Sequence, residues 1–366
     1  MSCLPLTLTM RLVFDVTLHG SGRRFAVAAG ETVLEAAQRA GIALPYSCRA
    51  GTCGSCKATL REGRCSYPHQ PPLALDAAER AHHAILLCQA VPCSDLVIEA
   101  REVPSVEEIA RRRLTVTVAA KRALAPAVVG LVLVPAPGEP PLRWLPGQYL
   151  DVLLADGRRR SFSIANAPRG DGAIELHVRH VAGGGFTGWV AEGLAVGDRL
   201  RVEGPLGTFV PREDSERPLL FVAGGTGFAP IKAIIEHFLA LGTRRPIDLY
   251  WGARSLADLY LRDLARSWVR PEPPLRFHPV LSDPAEAAAA GVRAGLVHQA
   301  VLEDWPDLAG HDVYMSGPPA MIDAARHAFL AAGLPESRLY FDSFEYAPDA
   351  LAHILAARAG IRAQRA

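Results

Sequence analysis

The spacing of apolar and polar positions divides this chain into three stretches with different periods. In the first, Arg11–Leu18 and Arg24–Ala28 alternate on either side of His19-Gly20-Ser21-Gly22, which predicts a hairpin. Thr32-Val33-Leu34-Glu35 has the form of a capping box, so a short helix opens there and stops at Gly41. A strand near Lys57–Arg61, a helix over Asp76–Ala84 and a strand over Asp95–Arg101 complete this stretch. Strands with one helix packed across them predict a β-grasp arrangement over residues 10–103. Residues 104–113 form a short charged linker.

The second stretch, 114–214, is strand-rich. Leu114–Ala119, Val128–Val134, Tyr149–Leu154 and Ala173–Val181 are β-branched or alternating runs between Gly and Pro turns, which predicts a small antiparallel barrel. From 217 to 346 strands and helices alternate, the pattern of a parallel sheet with helices on its faces. Within it Glu286–Ala290 reads as helical. Residues 347–366 are a tail whose apolar positions, Leu351, Ile354 and Leu355, suit one helix, although a solvated end fits them better. The fold class expected is α+β multidomain.

Composition narrows the function. The 366 residues carry 39 basic and 38 acidic side chains, a net charge of +1, which gives no footprint for nucleic acid or a charged membrane surface. The longest apolar run, Ala127–Val134, is too short to span a bilayer, and the first residues lack the pattern of a signal peptide. Met10 is a second candidate for the start of translation. Seven cysteines make an odd number, so a disulfide framework is not expected and a reducing cytoplasm is. A monomer or weak oligomer is the expected state.

The cysteines change the picture most. Cys48, Cys53 and Cys56 have C-x4-C-x2-C spacing within Pro45-Tyr46-Ser47-Cys48-Arg49-Ala50-Gly51-Thr52-Cys53-Gly54-Ser55-Cys56, and Cys88 follows 32 positions after Cys56. Plant-type [2Fe–2S] centres take three thiolates from one loop and a fourth from a distant turn. Small residues between the thiols let backbone N–H groups point at sulfur. A zinc knuckle favours two C-x2-C pairs, and only one is present. No Rieske C-x-H and C-x2-H pair occurs, which excludes a terminal oxygenase subunit. His82 and His83 read as helix-surface residues rather than ligands.

On these residues, 10–103 resembles a plant-type ferredoxin domain. The remainder resembles the ferredoxin–NADP reductase family, through motifs that occur in one order. Leu145-Pro146-Gly147-Gln148-Tyr149 precedes Arg160-Ser161-Phe162-Ser163, which is similar to the R-x-Y-S flavin motif with Phe162 in place of tyrosine. The resemblance implies that Arg160 and Ser161 serve the flavin phosphates, that Phe162 lies against the isoalloxazine and that the Ser163 hydroxyl reaches flavin N5. Gly183-Gly184-Gly185-Phe186-Thr187 is similar to a second phosphate-binding turn, with Glu203–Gly207 completing the pattern. His177, on the same strand as His180, is placed by this likeness at the flavin through its backbone. FAD is favoured over FMN.

Leu219–Ala223 runs into Gly224-Gly225-Thr226-Gly227-Phe228-Ala229-Pro230, a strand–turn–helix similar to the family's nicotinamide turn, although it is not G-x-G-x-x-G. Gly225, Thr226, Gly227 and Pro230 are its expected cofactor contacts. Arg254 suits a 2′-phosphate and Asp258 a free ribose hydroxyl; NADH is favoured and NADPH stays open. Ser316-Gly317-Pro318-Pro319-Ala320-Met321 is similar to the family's C-G-P-P-x-M segment, with Ser316 in place of the cysteine near the reacting carbon. Gly317, Pro318 and Met321 would shape that pocket. Asp342 and Phe344 match the terminal segment beside the flavin.

The order ferredoxin, flavin, nicotinamide is that of reductases serving other enzymes. It implies an oxidoreductase passing electrons from NADH through FAD and [2Fe–2S] to a partner. The Pro-Tyr-x-Cys loop, the segment Asp95–Val103 and Ser-Gly-Pro-Pro are most similar to reductases of the dehydrases of deoxysugar synthesis. The alternatives are the reductase component of an aromatic-ring dioxygenase or monooxygenase, a stand-alone flavin or quinone reductase, and a redox sensor. With 10 basic and 9 acidic residues over 10–104, docking on a partner is expected to rely on shape rather than on long-range charge.

Overall fold

The computed structural model describes residues 13–69, 72–107, 109–181 and 184–344. The expectations for Met10, Gly183, part of the 104–113 linker and the tail 347–366 lie outside these residues. The described chain forms two compact units, one up to Ala110 with Gly207–Phe209 added, the other from Arg111 onward without those three residues.

In the first unit, β1 (Val13–Leu18) and β2 (Arg24–Ala28) form the expected hairpin, and α1 (Val33–Arg39) follows. Thr32 and Glu35 close the capping box of α1 reciprocally, satisfying two backbone donors that the helix start would otherwise leave open. Next come β3 (Lys57–Glu62), β4 (Cys65–Ser66), α2 (Ala77–Ala81), β5 (Ala84–Leu86), β6 (Val91–Pro92), β7 (Leu96–Glu99) and α3 (Pro104–Glu107). The main sheet has the order β2-β1-β7-β3-β5, with β1 and β7 parallel. The helix expected over Asp76–Ala84 is shorter: Asp76 caps it, His83 takes a left-handed φ of 60°, and Ala84 enters a strand. Cys93 is disulfide-bonded, which the odd count of cysteines did not anticipate.

The second unit begins with the barrel strands β8 (Arg112–Ala125), β9 (Val128–Pro135), β10 (Tyr149–Leu153), β11 (Arg159–Ser163) and β12 (Ile174–Arg179). Helix α4 (Gly185–Glu192) and β13 (Arg199–Leu206) follow. Six antiparallel strands run β11-β10-β13-β8-β9-β12, and a bridge between Ile164 and Leu176 joins the outer two. Alternate residues build the core: Leu114, Val116 and Val118 from β8 meet Ile174, Leu176 and Val178 from β12. Each such side chain contributes about 1.5–3 kcal/mol on leaving water. The intervening residues of β12, Glu175, His177 and Arg179, therefore project outward.

The same unit continues with β14 (Leu219–Gly224), α5 (Phe228–Ala240), β15 (Ile247–Ala253), α6 (Arg262–Ser267) and β16 (Leu275–Leu281). It closes with α7 (Pro284–Ala290), β17 (Arg293–Ala294), α8 (Val297–Asp304), β18 (Asp312–Gly317), α9 (Pro319–Ala331) and β19 (Leu339–Ser343). All neighbours in the order β17-β16-β15-β14-β18-β19 are parallel. Every residue of β14 is buried, as a central parallel strand covered on both faces requires. No helix among the described residues is long and apolar enough to cross a membrane.

Candidate functional site

In the first unit the loop 48–56 wraps its own sulfurs. Arg49, Gly51 and Gly54 take left-handed φ values of 62°, 75° and 76°, which turn successive amides inward. The Ala50 amide donates to Cys48 Sγ at 3.3 Å and the Ser55 amide to Cys53 Sγ at 3.4 Å. Cys88 is brought in by the turn after β5, where Leu87 N bonds Cys56 O at 3.1 Å and Gln89 Nε2 bonds Arg49 O at 2.9 Å.

The thiols gather as two pairs. The hydrogen bond with Cys53 draws Cys48 down to about 4 and pushes Cys53 up, and the bond with Cys56 lowers Cys88 while raising Cys56. Among the described residues no three His, Cys, Asp or Glu side chains converge as ligands of a single ion. Two thiol pairs, with amides aimed at sulfur, fit a two-iron cluster that places two thiolates on each iron.

In the second unit β10 and β11 pair Tyr149 with Ser163, Leu150 with Phe162 and Asp151 with Ser161. Strand alternation sets Arg160 and Phe162 on one face and Ser161 and Ser163 on the other. Half-buried Arg160 donates to the Arg159 carbonyl at 3.0 Å, and Ser161 Oγ donates to Asp151 Oδ1 at 2.6 Å. The ring centroid of Phe162 lies 5.7 Å from that of Phe186, in the first turn of α4. No side chain caps α4 at Gly184. A Cβ there would come within 2.6 Å of Thr187 Oγ1, which itself accepts the Val181 amide at 3.2 Å. A helix start left open and crowded close in this way fits a phosphate.

The nicotinamide motif lies at the carboxyl ends of β14, β18 and β19, where ligands of parallel sheets bind. A Cβ on Gly227 would fall 2.0 Å from the Ser316 carbonyl, and one on Gly224 2.5 Å from Met321 Sδ. Only glycine lets the turn and the Ser316–Met321 segment approach this closely. Thr226 is half-buried and Pro230 buried in the start of α5. Ser316 pairs in register with Ala223 on one side and Asp342 on the other, and Gly317 pairs with Ser343. Pro318 leads into α9, and the Phe344 amide donates to the Gly317 carbonyl at 2.9 Å. Ser163 Oγ donates to Asp342 Oδ2 at 3.3 Å, which brings the end of the flavin motif to the end of the nicotinamide motif. Ser316 Oγ is wholly buried and has no hydrogen-bond partner among the described residues.

Arg254 is exposed beyond β15. Asp258 accepts from Arg179 at 2.8 Å and from Ser255 Oγ at 2.9 Å, so its carboxylate is already engaged. His177 is buried with its imidazole inside a polar chain: Nε2 meets Glu175 Oε1 and Nδ1 meets Tyr260 Oη, each at 3.0 Å. Sequence reasoning passed over Glu175, Arg179, Lys232, Trp251 and Tyr260. Trp251 stacks on Phe228 at 3.8 Å and donates Nε1–H to the Gly225 carbonyl at 2.9 Å. The available signal was Lys232, a lone charge among Phe228–Ile235, otherwise apolar.

Three family models match the chain in order. Residues 16–93 match the 2Fe-2S iron-sulfur cluster binding domain, 117–210 the oxidoreductase FAD-binding domain and 221–327 the oxidoreductase NAD-binding domain. The chain is 38% identical over 330 residues to the CDP-6-deoxy-L-threo-D-glycero-4-hexulose-3-dehydrase reductase of Yersinia pestis, covering 90% of this chain and 98% of the relative. It is 36% identical over 334 residues to a terephthalate 1,2-dioxygenase reductase component of Comamonas sp., covering 91% and 98%. The crystal structure of an Amycolatopsis cytochrome P450 reductase superposes with a TM-score of 0.71 at 36% identity, over 90% of this chain and 98% of that one. The chain thus belongs to the ferredoxin-containing flavoprotein reductases, oxidoreductases that carry electrons from NADH through FAD to a [2Fe–2S] cluster.

Proposed function

We propose that this reductase delivers its electrons to a separate enzyme, a dehydrase of the CDP-6-deoxyhexulose type that makes deoxysugars. Three domains divide the work: 10–103 holds the cluster, 114–214 the flavin and 217–346 the nicotinamide, with 104–113 as linker and 347–366 as tail. A flavin accepts two electrons as hydride and releases them singly, which joins a nicotinamide donor to a one-electron cluster.

The chain's residues take the following roles. Cys48, Cys53, Cys56 and Cys88 hold the irons. Arg160, Ser161 and the amides of Gly184–Thr187 neutralise the FAD phosphates, while Phe162 and the backbone at His177 line the flavin. The turn Gly225–Gly227 with Pro230 receives the nicotinamide phosphates, and Arg254 or Asp258 reads the ribose. Ser163, Ser316, Asp342 and Phe344, with Gly317, Pro318 and Met321, orient the two rings and exclude water.

The observation that carries the hydride step of this reading is the hydrogen bond from Ser163 to Asp342, the register partner of Ser316, whose hydroxyl is unpartnered among the described residues. It gathers residues of both cofactor motifs where the two rings must meet. The dehydrase is favoured as acceptor by the Yersinia relative at 38% identity. An oxygenase is the second reading, favoured by the dioxygenase reductase component at 36%. A monomer or weak oligomer in the cytoplasm completes the proposal.

Anaerobic stopped-flow mixing with NADH, followed by addition of a pyridoxamine-phosphate-dependent sugar dehydrase or a ring-hydroxylating oxygenase, tests it. Bleaching of the flavin and then faster reoxidation by the dehydrase are expected. Reoxidation ten times faster by the oxygenase establishes the second reading instead.

A further inference from the structure

Three outward residues of β12, spaced two apart, reach helix α5 and the connection between β15 and α6. Glu175 Oε2 meets Lys232 Nζ on α5 at 3.0 Å, His177 Nδ1 meets Tyr260 Oη at 3.0 Å, and Arg179 Nη2 meets Asp258 Oδ1 at 2.8 Å. A strand repeats its side-chain direction every second residue, so these are rungs of one seam. Its far end is tied to both cofactor motifs.

Lys232 is buried at the Glu175 end of the seam. Its side chain is 4% exposed, and its three N–H donors meet three acceptors. These are the Ala165 carbonyl at 2.9 Å, Glu175 Oε2 at 3.0 Å and Glu236 Oε1 at 3.0 Å. Ala165 lies two residues beyond Ser163, and its amide donates to the Glu175 carbonyl at 2.7 Å. Lys232 itself sits one turn into the helix that opens at the nicotinamide turn. From the next rung, Tyr260 packs edge-on against Trp251, whose indole N–H holds the Gly225 carbonyl. One ammonium group and one imidazole thus connect the end of the flavin strand with the start of the nicotinamide helix.

We infer that the outward face of β12 is a seam that sets the flavin strand against the nicotinamide helix, and that Lys232 is its positioning residue for hydride transfer. A buried ion pair adds little stability over apolar groups of the same size, and its best use is to fix geometry. Hydride transfer is sensitive to that geometry, since a displacement of about 1 Å costs on the order of 100-fold in rate. Lys232 touches neither expected phosphate contact nor ring contact, so its loss separates positioning from binding. The inference rests on the reading that NADH reduces FAD at the Ser163–Ser316 site.

The experiment compares wild type, Lys232→Met, and Lys232→Met with Glu175→Gln, all as flavin-loaded full chains. In Lys232→Met the rate of flavin bleaching at saturating NADH falls about 10- to 100-fold. The Kd for NADH stays within about threefold, and dithionite-reduced flavin still feeds the cluster at the wild-type rate. Hydrogen exchange on the same proteins rises together at 163–166 and 228–236 and stays unchanged at 48–56. The double variant removes both buried charges of the Lys232–Glu175 pair and leaves only Glu236, whose side chain is 22% exposed, so it serves where Lys232→Met does not fold, and it remains slow because the tether to Ala165 is still missing. A wild-type bleaching rate in either variant overturns the inference. If wild-type protein is not bleached by NADH, the hydride reading fails by itself. The exchange arm then decides the seam, and unchanged protection at both segments overturns it.

Discussion

The cluster loop of the first unit and the β12 seam of the second both hold charge away from water, by opposite means. In the loop the donors are mostly backbone amides, joined by the Thr52 hydroxyl on Cys48 Sγ, and the ligands fall within nine residues plus one distant turn. In the seam every donor but the Ala165 amide is a side chain, and the partners are scattered from Ala165 to Tyr260. A site made of backbone needs small residues at fixed intervals, and those intervals are themselves a motif. A site made of side chains needs only that packed elements face each other. Its trace in the sequence is one charged residue in an apolar run.

The difference predicts unequal damage from single substitutions. Each thiol of the loop is irreplaceable, so Cys53→Ser should give the largest effect. Wild-type protein should contain about two irons per chain, and the variant should lose its cluster absorption. Reduction of one-electron protein acceptors should fall to background while NADH-to-ferricyanide activity, which needs only the flavin, survives. Zinc in place of iron after anaerobic purification would refute the assignment of the loop.

The seam should instead lose its strength gradually, and with pH. Burial alone would raise the Glu175 carboxyl, but the hydrogen bond with His177 and the charge of Lys232 outweigh it and bring it down to about 2. Burial keeps His177 below its usual value, and its ring nitrogens Nε2 and Nδ1 lie 3.0 Å from Glu175 Oε1 and Tyr260 Oη. A carboxyl depressed on folding stabilises fully above its unfolded value of about 4.3, and that contribution shrinks as pH falls through this value towards 2. The contribution is roughly 3 kcal/mol at most. Urea unfolding of wild type and Glu175→Gln from pH 6 to pH 2.5 should show the gap between them closing as the pH falls. A gap constant with pH would mean that Glu175 titrates alike folded and unfolded.

Arg160 sharpens the comparison, because it is a side chain found through a motif. It stands next to Arg159, which pairs with Glu203 at 3.0 Å, whereas Arg160 alternates to the face of Phe162. Arg160→Ala should weaken FAD binding by about 1.5–3 kcal/mol, the value of a charge-assisted phosphate contact. Flavin retention on dilution, followed by fluorescence, measures it. Full occupancy in the variant would leave the phosphates to the α4 amides alone.

What the sequence made legible follows the same division. The three hydrophobic periods gave the β-grasp sheet, the barrel and the parallel sheet, because each depends on local alternation. Capping at Thr32 was readable for the same reason. Strand β8, by contrast, runs from Arg112 to Ala125, well past the apolar run Leu114–Ala119. Its far half carries Lys121 and Arg122 and shifts register against β9 twice, so pairing rather than composition extends it. Pro104–Glu107 forms a helical turn where charge alone suggested a linker. Asp258 was readable as an acid near the ribose, but not as the partner of Arg179, which comes from another sheet.

Ser316 stands between the two kinds of site, with a position legible from its motif and surroundings that were not. It is wholly buried in β18, between Ala223 and Asp342, and its hydroxyl has no partner among the described residues. Room for a side chain here is small, because Ser316 is wholly buried and the Gly227 turn lies against its backbone, an added Cβ on Gly227 meeting the Ser316 carbonyl at 2.0 Å. Two accounts of the residue therefore agree on size and differ on chemistry: a filler at a strand end, or a contact beside the nicotinamide. Serine and cysteine differ little in volume, and neither needs to exchange a proton when a hydride moves. Ser316→Cys should change the rate of flavin bleaching by less than about tenfold, roughly 1.4 kcal/mol in barrier, the smallest effect of the set. Ser316→Phe sets the opposite limit, because its ring would both overpack β18, at about 1–3 kcal/mol, and fill the place of the nicotinamide. Bleaching by NADH should then stop while dithionite still reduces the flavin and the cluster. A folded Phe variant that bleaches at the wild-type rate would place Ser316 away from the hydride path, leaving it a filler whose unpartnered hydroxyl has no ligand to meet.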